Sequence, residues 1–306
     1  MEAKILIIFA VAVTAVIAVD QPKLDMTRVI PRQEIPGFWA GRDIQPIRYN
    51  HHQHSRRIVG GNEAKPNAHP YQAGLLMLIH WWTGFCGATV IADRIVMTAA
   101  HCLEDSNSGQ VVLGAHAIFN VIEQTQIRIP VFSSNYRVHP DYNPRMLYND
   151  IALLVLEKTI EFSKYIQPIQ LPANELRNEN FAGETATVSG WGRFSDSNSA
   201  VSEVLRYTRN EIKSNQACYD IFGDFVIEST LCTITRDTES GICNGDSGGP
   251  LTVNRDGRDV LVGIVSFGAL AGCELGFPTG FVRITYFLDW INSHRKMTEE
   301  RDIGLF

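Results

Sequence analysis

Short apolar stretches recur between residues 58 and 285, separated by glycine, asparagine, aspartate and proline. Valine, isoleucine and leucine predominate in these stretches. Many short strands with turn residues between them are typical of an all-β sandwich or barrel. The stretches expected to form strands include residues 71–80, 89–97, 126–131, 151–156, 186–188 and 260–266.

The periodicity changes near the C-terminus. Phe287, Trp290 and Ile291 recur at helical spacing, which predicts a short amphipathic helix over residues 285–294 that packs back on the domain. The charged residues 297–306 that follow are expected to form a loose tail.

The N-terminus has the pattern of a secretory signal. Lys4 precedes an apolar run from Ile5 to Val19 that ends in small residues. This pattern predicts a signal peptide over residues 1–18, and hence a secreted, extracellular protein. An uncleaved signal anchor is the alternative, but the run has about 15 residues and a membrane span needs about 20. No other stretch is long and apolar enough to span a bilayer, so no membrane partner is expected.

Residues 19–57 predict a propeptide or linker, not a packed domain. They contain four prolines, lack a sustained apolar period and end in the basic pair Arg56-Arg57. Residues 1–57 carry eight basic and five acidic side chains, whereas the whole chain has a net charge of −6, so the remainder carries −9. We therefore expect the basic leader to dock electrostatically on the acidic body. The negative total also argues against a nucleic-acid partner.

Six cysteines in a secreted chain predict three disulfides, because an even count is typical of an oxidising compartment. They are Cys86, Cys102, Cys218, Cys232, Cys243 and Cys273. Their spacing alone does not choose among the possible pairings. A zinc site is the alternative, but no two of them form a C-x-x-C pair.

Ser247 lies in a glycine-rich turn, residues 245–250, with the sequence GDSGGP. A serine hydroxyl needs an adjacent base to act as a nucleophile. Glycines allow a sharp turn, so the N–H groups of Gly245 and Ser247 could hold the oxyanion that develops at a substrate carbonyl. Taken alone, the segment also fits an ordinary tight surface turn.

Two further motifs supply the groups that such a serine needs. His101 belongs to the sequence TAAHC after an apolar strand, a rigid setting that suits a general base. Asp150 stands at the entry to the apolar sequence IALL, where a buried carboxylate needs a partner such as a histidine N–H. A lone histidine or aspartate is usually a satisfied core residue. The three motifs together predict nucleophilic catalysis by Ser247.

These motifs resemble those of the chymotrypsin-like serine peptidases, with His101, Asp150 and Ser247 in the family's order along the chain. The resemblance extends from about residue 58 to about residue 294 and suggests a chymotrypsin/elastase-like or brachyurin-like member. It rests on the segments IVGG (58–61), TAAHC (98–102), NDIALL (149–154), SGWG (189–192), GDSGGP (245–250) and SFG (266–268).

The resemblance implies an all-β fold of two six-stranded antiparallel Greek-key barrels with a short C-terminal helix. The peptidase domain would span residues 58–296, with the first barrel over about 58–170 and the second over about 171–285. The site would lie in the cleft between the barrels of a monomer.

Carried over by position, Ser247 attacks the scissile carbonyl, His101 transfers its proton, and Asp150 orients His101 with support from Ser266. Ala115 stands where some members have a calcium-binding acid, so no metal site is expected, and no cofactor is implied. The disulfides that the resemblance implies are Cys86–Cys102, Cys218–Cys232 and Cys243–Cys273.

The resemblance also predicts a zymogen. Cleavage after Arg57 by a trypsin-like peptidase would free the amine of Ile58. Once buried, that ammonium would pair with Asp246 and organise the oxyanion hole at Gly245.

The substrate pocket is expected to accept large apolar or aromatic side chains of protein or peptide substrates. Gly241 replaces the aspartate of trypsin-like members, and Gly268 would leave the entrance open, whereas Thr279 would narrow the base. Elastase-like or collagenolytic cleavage after smaller apolar residues is the alternative. The residues expected to line the pocket are Gly241, Ile242, Ser266, Phe267, Gly268 and Thr279.

Two other functions fit less well. A non-catalytic homologue that serves as an adaptor usually lacks a triad residue, whereas all three are present. An esterase favours G-x-S-x-G with the histidine last in the chain. Protein inhibitors are a further expected class of partner.

Overall fold

A computed structural model describes residues 22–42, 61–197, 200–235, 243–269, 272–273 and 276–302. The signal peptide predicted at 1–18, the cleavage site at Arg57 and Ile58, and the pocket residues Gly241 and Ile242 lie outside the described residues. Strands predominate in the described part. No helix in these ranges is long and apolar enough to cross a membrane.

The first sheet contains eight strands, and all its pairings except one are antiparallel. They are β1 (Val29–Pro31), β3 (Gln72–Ile79), β4 (Trp82–Ala92), β5 (Ile95–Thr98), β6 (Ser106–Leu113), β7 (Ile127–Phe132), β8 (Tyr136–Val138) and β9 (Ala152–Val155). The order is β7-β6-β3-β4-β5-β9-β8, and β1 joins β4 in parallel. Only the 3-10 turn Ser133–Asn135 separates β7 from β8, so the two ends of the path are consecutive in the chain.

The second sheet is a closed antiparallel barrel of six strands with β2 at its edge. Its strands are β2 (Asn62–Glu63), β10 (Thr185–Gly190), β11 (Arg206–Lys213), β12 (Thr230–Thr235), β13 (Pro250–Arg255), β14 (Arg258–Phe267) and β15 (Thr279–Arg283). The order is β10-β13-β14-β15-β12-β11-β2, and a further pairing of β10 with β11 closes the barrel. The predicted all-β architecture is confirmed, with the second sheet as the expected six-stranded barrel. The first sheet differs from the expected six strands, because it is a half-barrel with seven strands in its path and β1 beside β4.

Each half of the molecule has its own apolar core. Inward-facing residues such as Leu75 and Met97 are fully buried in the first. Leu231 and Phe281 are buried in the second. The first core also includes Leu261 and Ile264 of β14, so the two halves pack against each other.

Residues 89–97, expected to form one strand, instead form a hairpin. β4 ends at Ala92 and β5 begins at Ile95, so Asp93 and Arg94 make the turn. Two polar residues within an apolar run are enough for the shortest hairpin connection.

The predicted C-terminal helix is present. A 3-10 turn, Ile284–Phe287, leads into α2 (Leu288–Asp302), and a shorter helix, α1 (Asn215–Phe222), precedes β12. Phe287 and Ile291 are buried, and Trp290 packs half-buried against the same core.

The expectation of a loose tail after residue 296 is wrong as far as Asp302, because α2 continues to that residue. Thr298 Oγ1 donates a 2.8 Å hydrogen bond to the carbonyl of His294 one turn earlier. The added turns are rich in Lys, Glu, Arg and Met, which favour helix.

The three disulfides are those that the resemblance implied. They are Cys86–Cys102, Cys218–Cys232 and Cys243–Cys273. All six sulfurs are therefore bonded, which leaves no thiolate for the alternative zinc site.

Candidate active site

His101 is held rigidly at the end of β5. It lies in the 3-10 turn Ala100–Cys102, and its side chain is fully buried. Cys102 is bonded to Cys86 on β4, so the turn is fastened covalently to the neighbouring strand. A base held in this way keeps its ring orientation at little entropic cost.

The pairing of β5 with β9 brings Asp150 to His101. Thr98 pairs with Ala152 in antiparallel register, so the residues just beyond these two positions face each other. Oδ2 of Asp150 lies 2.7 Å from Nδ1 of His101, and Oδ1 accepts a 2.8 Å hydrogen bond from the backbone N–H of His101. Both side chains are fully buried, where a carboxylate needs such partners.

Ser266 on β14 supplies a third donor to this carboxylate. Its hydroxyl donates to Oδ2 of Asp150 at 2.6 Å. Because β14 belongs to the second barrel, the carboxylate is held by both halves of the molecule. The structure thus brings the side chains of Asp150, His101 and Ser266 together.

The turn that carries Ser247 is also fastened to both barrels. The carbonyl of Ser247 accepts a 2.7 Å hydrogen bond from Gly87 N, and Gly248 N donates to Val265 O at 2.8 Å. Gly248 adopts φ +81°, and a Cβ there would collide with Thr98 Oγ1. Glycine is therefore required after Ser247. Ser247 itself is buried.

The carboxylate of Asp246 lies against the backbone of Gly190, Gly192 and Cys243. It accepts hydrogen bonds from Gly192 N at 2.8 Å and Cys243 N at 3.1 Å. Burial raises the pKa of Asp246 to about 6, although the two hydrogen bonds act in the opposite direction. Gly245 beside it adopts φ +98°.

The predicted pocket residues within the described ranges lie together. Ser266, Phe267, Gly268 and Thr279 line a cavity of about 770 Å³ that also includes Ser247. The Phe267 ring packs edge-on against Phe222, with ring centroids 5.3 Å apart.

Gly268 has free space on its side of the cavity. A Cβ built at Gly268 would meet no atom within 4 Å.

Comparison with known proteins identifies the family. A family model described as Trypsin matches residues 58–291. The chain belongs to the trypsin family. The match, together with the relatives below, shows that it is a serine endopeptidase.

The relatives are peptidases of several animals. Brachyurin of Leptuca pugilator is 39% identical over 241 residues, which covers 79% of this chain and 100% of the relative. Collagenase of Hypoderma lineatum is 38% identical, and the match covers 78% of this chain and 87% of the relative. Chymotrypsin of Phaedon cochleariae is 33% identical, and the match covers 82% of this chain and 87% of the relative. A solved structure of HL collagenase, 35% identical, superposes with a TM-score of 0.69 over 78% of this chain and 99% of its own.

One feature of this trypsin-family site was missed by sequence reasoning. Residues 22–42 of the leader are packed against the peptidase, so the expectation that residues 19–57 lack packed structure is wrong for them. The side-chain amide of Gln33 donates to Ser247 Oγ, and its Nε2 lies 3.5 Å from Nε2 of His101. The signal that could have shown this is the pair of apolar residues Ile35 and Phe38 within a proline-containing segment.

Proposed function

We propose that this trypsin-family chain is a secreted, latent precursor whose triad is His101, Asp150 and Ser247. Once cleaved after Arg57, it would hydrolyse peptide bonds that follow large apolar or aromatic residues. The observation that carries the proposal is the buried hydrogen-bonded array of Ser266, Asp150 and His101 at the cleft that also holds Ser247.

The array suits acyl transfer. Asp150 accepts the Nδ1 proton of His101, which turns Nε2 into the basic nitrogen of the ring. His101 would then remove the proton from Ser247 as the hydroxyl attacks the scissile carbonyl, and later return it to the leaving amine. The imidazolium formed in between would be stabilised by the Asp150 carboxylate.

The N–H groups of Gly245 and Ser247 would hold the oxyanion. The positive φ of Gly245 is a conformation that favours glycine, and it lets this segment turn tightly next to Ser247. Donors placed on the developing charge are often the largest electrostatic contribution to catalysis.

Latency is supported by the surroundings of Asp246. Among the described residues, the hydrogen bonds to its carboxylate come from two backbone N–H groups. A buried carboxylate with a raised pKa gains greatly from a cation. The ammonium of Ile58, freed by a trypsin-like peptidase, would supply that cation and reorganise the adjoining turn.

Specificity for large apolar residues is supported by the cavity. Gly268 leaves the entrance open, and Phe267 provides an apolar wall. No carboxylate occupies position 241 or 242 in the sequence to attract a basic side chain. The 33% identity to Chymotrypsin of Phaedon cochleariae also supports a preference for large apolar residues.

Secretion is supported by the three disulfides and by the apolar N-terminal run. We expect the mature enzyme to be a monomer that meets peptide substrates and protein inhibitors outside the cell.

The proposal is tested by controlled activation. The precursor is treated with trypsin, freed of its leader and profiled on a peptide library. Arg57→Gln should stay inactive, whereas the matched variant Arg56→Gln should activate normally. Turnover after Phe, Tyr or Leu is expected. Activity without cleavage, or a preference for Arg or for small apolar residues, would contradict the proposal.

A further inference from the structure

The leader reaches the cleft between the barrels through the short strand β1 and the 3-10 turn Arg32–Glu34. β1 pairs with β4, with Val29 opposite Thr83 and Pro31 opposite Phe85. Residues 33–40 then line the cavity that contains Ser247. Residues 29–42 are called the blocking segment below.

We propose that the blocking segment is a reversible inhibitor directed at the active site. It would act within the precursor and, after cleavage at Arg57, as a separate peptide. The inference rests on the proposed role of Ser247 as nucleophile. It makes activation a two-step process, in which cleavage must be followed by dissociation of the leader.

The contact at the nucleophile is made by a side chain. Gln33 is only 8% exposed, and its amide donates to Ser247 Oγ beside Nε2 of His101. Attack on a peptide bond requires a carbonyl carbon next to Oγ. The amide nitrogen occupies that space instead, so the segment covers Ser247 without presenting a bond to be cut.

Apolar anchors hold this contact in place. Phe38 is 2% exposed, and its ring centroid lies 5.5 Å from that of His101. The guanidinium of Arg42 lies 3.8 Å from the centroid of the Phe38 ring. Ile35 is buried in the core of the first barrel. Burial of two large apolar side chains is a substantial driving force for binding.

Ion pairs connect the segment to both barrels. Arg32 lies 3.8 Å from Glu104 and 3.4 Å from Asp105, and Arg42 also pairs with Glu104. On the other side, Glu34 lies 2.6 Å from Arg193. The expected electrostatic docking of the leader is thus realised at the mouth of the active site.

The leader is not tied to the peptidase by a disulfide. The first cysteine of the chain is Cys86, and all six cysteines pair with one another. After cleavage, only non-covalent contacts would retain the leader. Its release would therefore depend on dilution and, through the ion pairs, on ionic strength.

Binding of a synthetic peptide tests the inference. The full chain is cleaved at Arg57 and freed of its leader, and fluorescein-labelled peptide 22–57 is titrated by anisotropy. We expect saturable binding that weakens at least about 10-fold after Ser247 is blocked with a fluorophosphonate, because the space beside Oγ is then filled. No saturable binding, or binding unaffected by the block, would overturn the inference.

Peptide variants locate the contacts. Phe38→Ala should weaken binding about 100-fold, and Gln33→Ala and Arg32→Gln about 10-fold each. Arg28→Gln is the matched control, because the Arg28 side chain is 67% exposed and should leave binding within about 2-fold. Equal effects of Arg28→Gln and Arg32→Gln would overturn the inference. Failure of the fluorophosphonate to label Ser247 would count against the proposed function instead. The two failures can be told apart because the peptide variants are compared by their binding, which does not require enzyme activity.

Discussion

Oδ2 of Asp150 lies 2.7 Å from Nδ1 of His101, although 49 positions separate the two residues in the chain. The distance follows from the register of β5 with β9, which leaves the two side chains facing each other beyond the strand ends. The pairing of these two strands thus brings together Asp150 and His101, the proposed base.

Asp150→Asn should abolish most of the activity while leaving the fold intact. The amide is the same size, but its NH2 group cannot accept the Nδ1 proton, so the wrong tautomer of His101 is favoured. We expect kcat of the activated enzyme to fall about 10⁴-fold. Asp141→Asn, in an exposed position of the same loop, is the control and should retain activity. Equal kcat values for the two variants would contradict the role of Asp150.

Ser266→Ala should have a milder effect. It removes one of the donors to the buried carboxylate but keeps the bond to His101. Loss of one hydrogen bond to a charged group predicts a fall in kcat of about 10-fold or more with KM for a small substrate nearly unchanged. A change confined to KM would show instead that Ser266 acts only in substrate binding.

Asp246 should make the precursor lose stability as pH rises. Its folded pKa of about 6 exceeds its ordinary value of 3.8, so the folded chain holds this proton more tightly than the unfolded chain. The resulting stabilisation is present below about pH 4 and is lost as pH rises through about 6, a contribution of about 3 kcal/mol. Denaturant unfolding of the precursor and of Asp246→Asn at several pH values isolates this contribution. A stability difference between the two that stays constant from pH 4 to 7 would contradict the assignment.

Substitution by alanine should change the stability of the fold differently at two glycines near Ser247. At Gly248 a Cβ would collide with Thr98 Oγ1, and φ is +81°, so Gly248→Ala should lower the free energy of unfolding by about 3 kcal/mol. At Gly268 a Cβ would meet no atom within 4 Å, so Gly268→Ala should change the free energy of unfolding by less than about 0.5 kcal/mol. Chemical denaturation of both variants makes the comparison, and similar losses would contradict the described turn.

Gly268 should also control the size of the accepted side chain. Gly268→Val places a branched side chain in the lining of the cavity, at a position where a Cβ meets no atom within 4 Å. We expect kcat/KM for a phenylalanyl substrate to fall at least about 10-fold relative to an alanyl substrate. An unchanged ratio would mean that the substrate side chain enters elsewhere.

The sequence predicted most of what short-range chemistry and family resemblance determine. The apolar stretches matched β3, β7, β9 and β14 closely, because short runs rich in Val, Ile and Leu between turn residues are typical of strands. The hairpin at Asp93 and Arg94 was missed because its two polar residues interrupt the apolar run so briefly. Helix α1 was missed because it is short and has only one buried residue, Cys218.

The blocking segment was beyond sequence reasoning for a different reason. Arg32 finds its partners 72 and 73 positions away, and Gln33 contacts Ser247 at a separation of 214. No local period encodes contacts of that range. The excess of basic charge in the leader and the apolar pair Ile35 and Phe38 indicate docking, but neither specifies the place.

Mapping the residue that reacts with a fluorophosphonate tests the central claim most directly. The precursor is cleaved at Arg57, freed of its leader, treated with the reagent and digested, and the adduct is located by mass spectrometry. The account predicts a single adduct on Ser247 that forms slowly in the intact precursor and at least about 100-fold more slowly in His101→Ala. An adduct on another serine, or labelling of Ser247 at the same rate without His101, would contradict it.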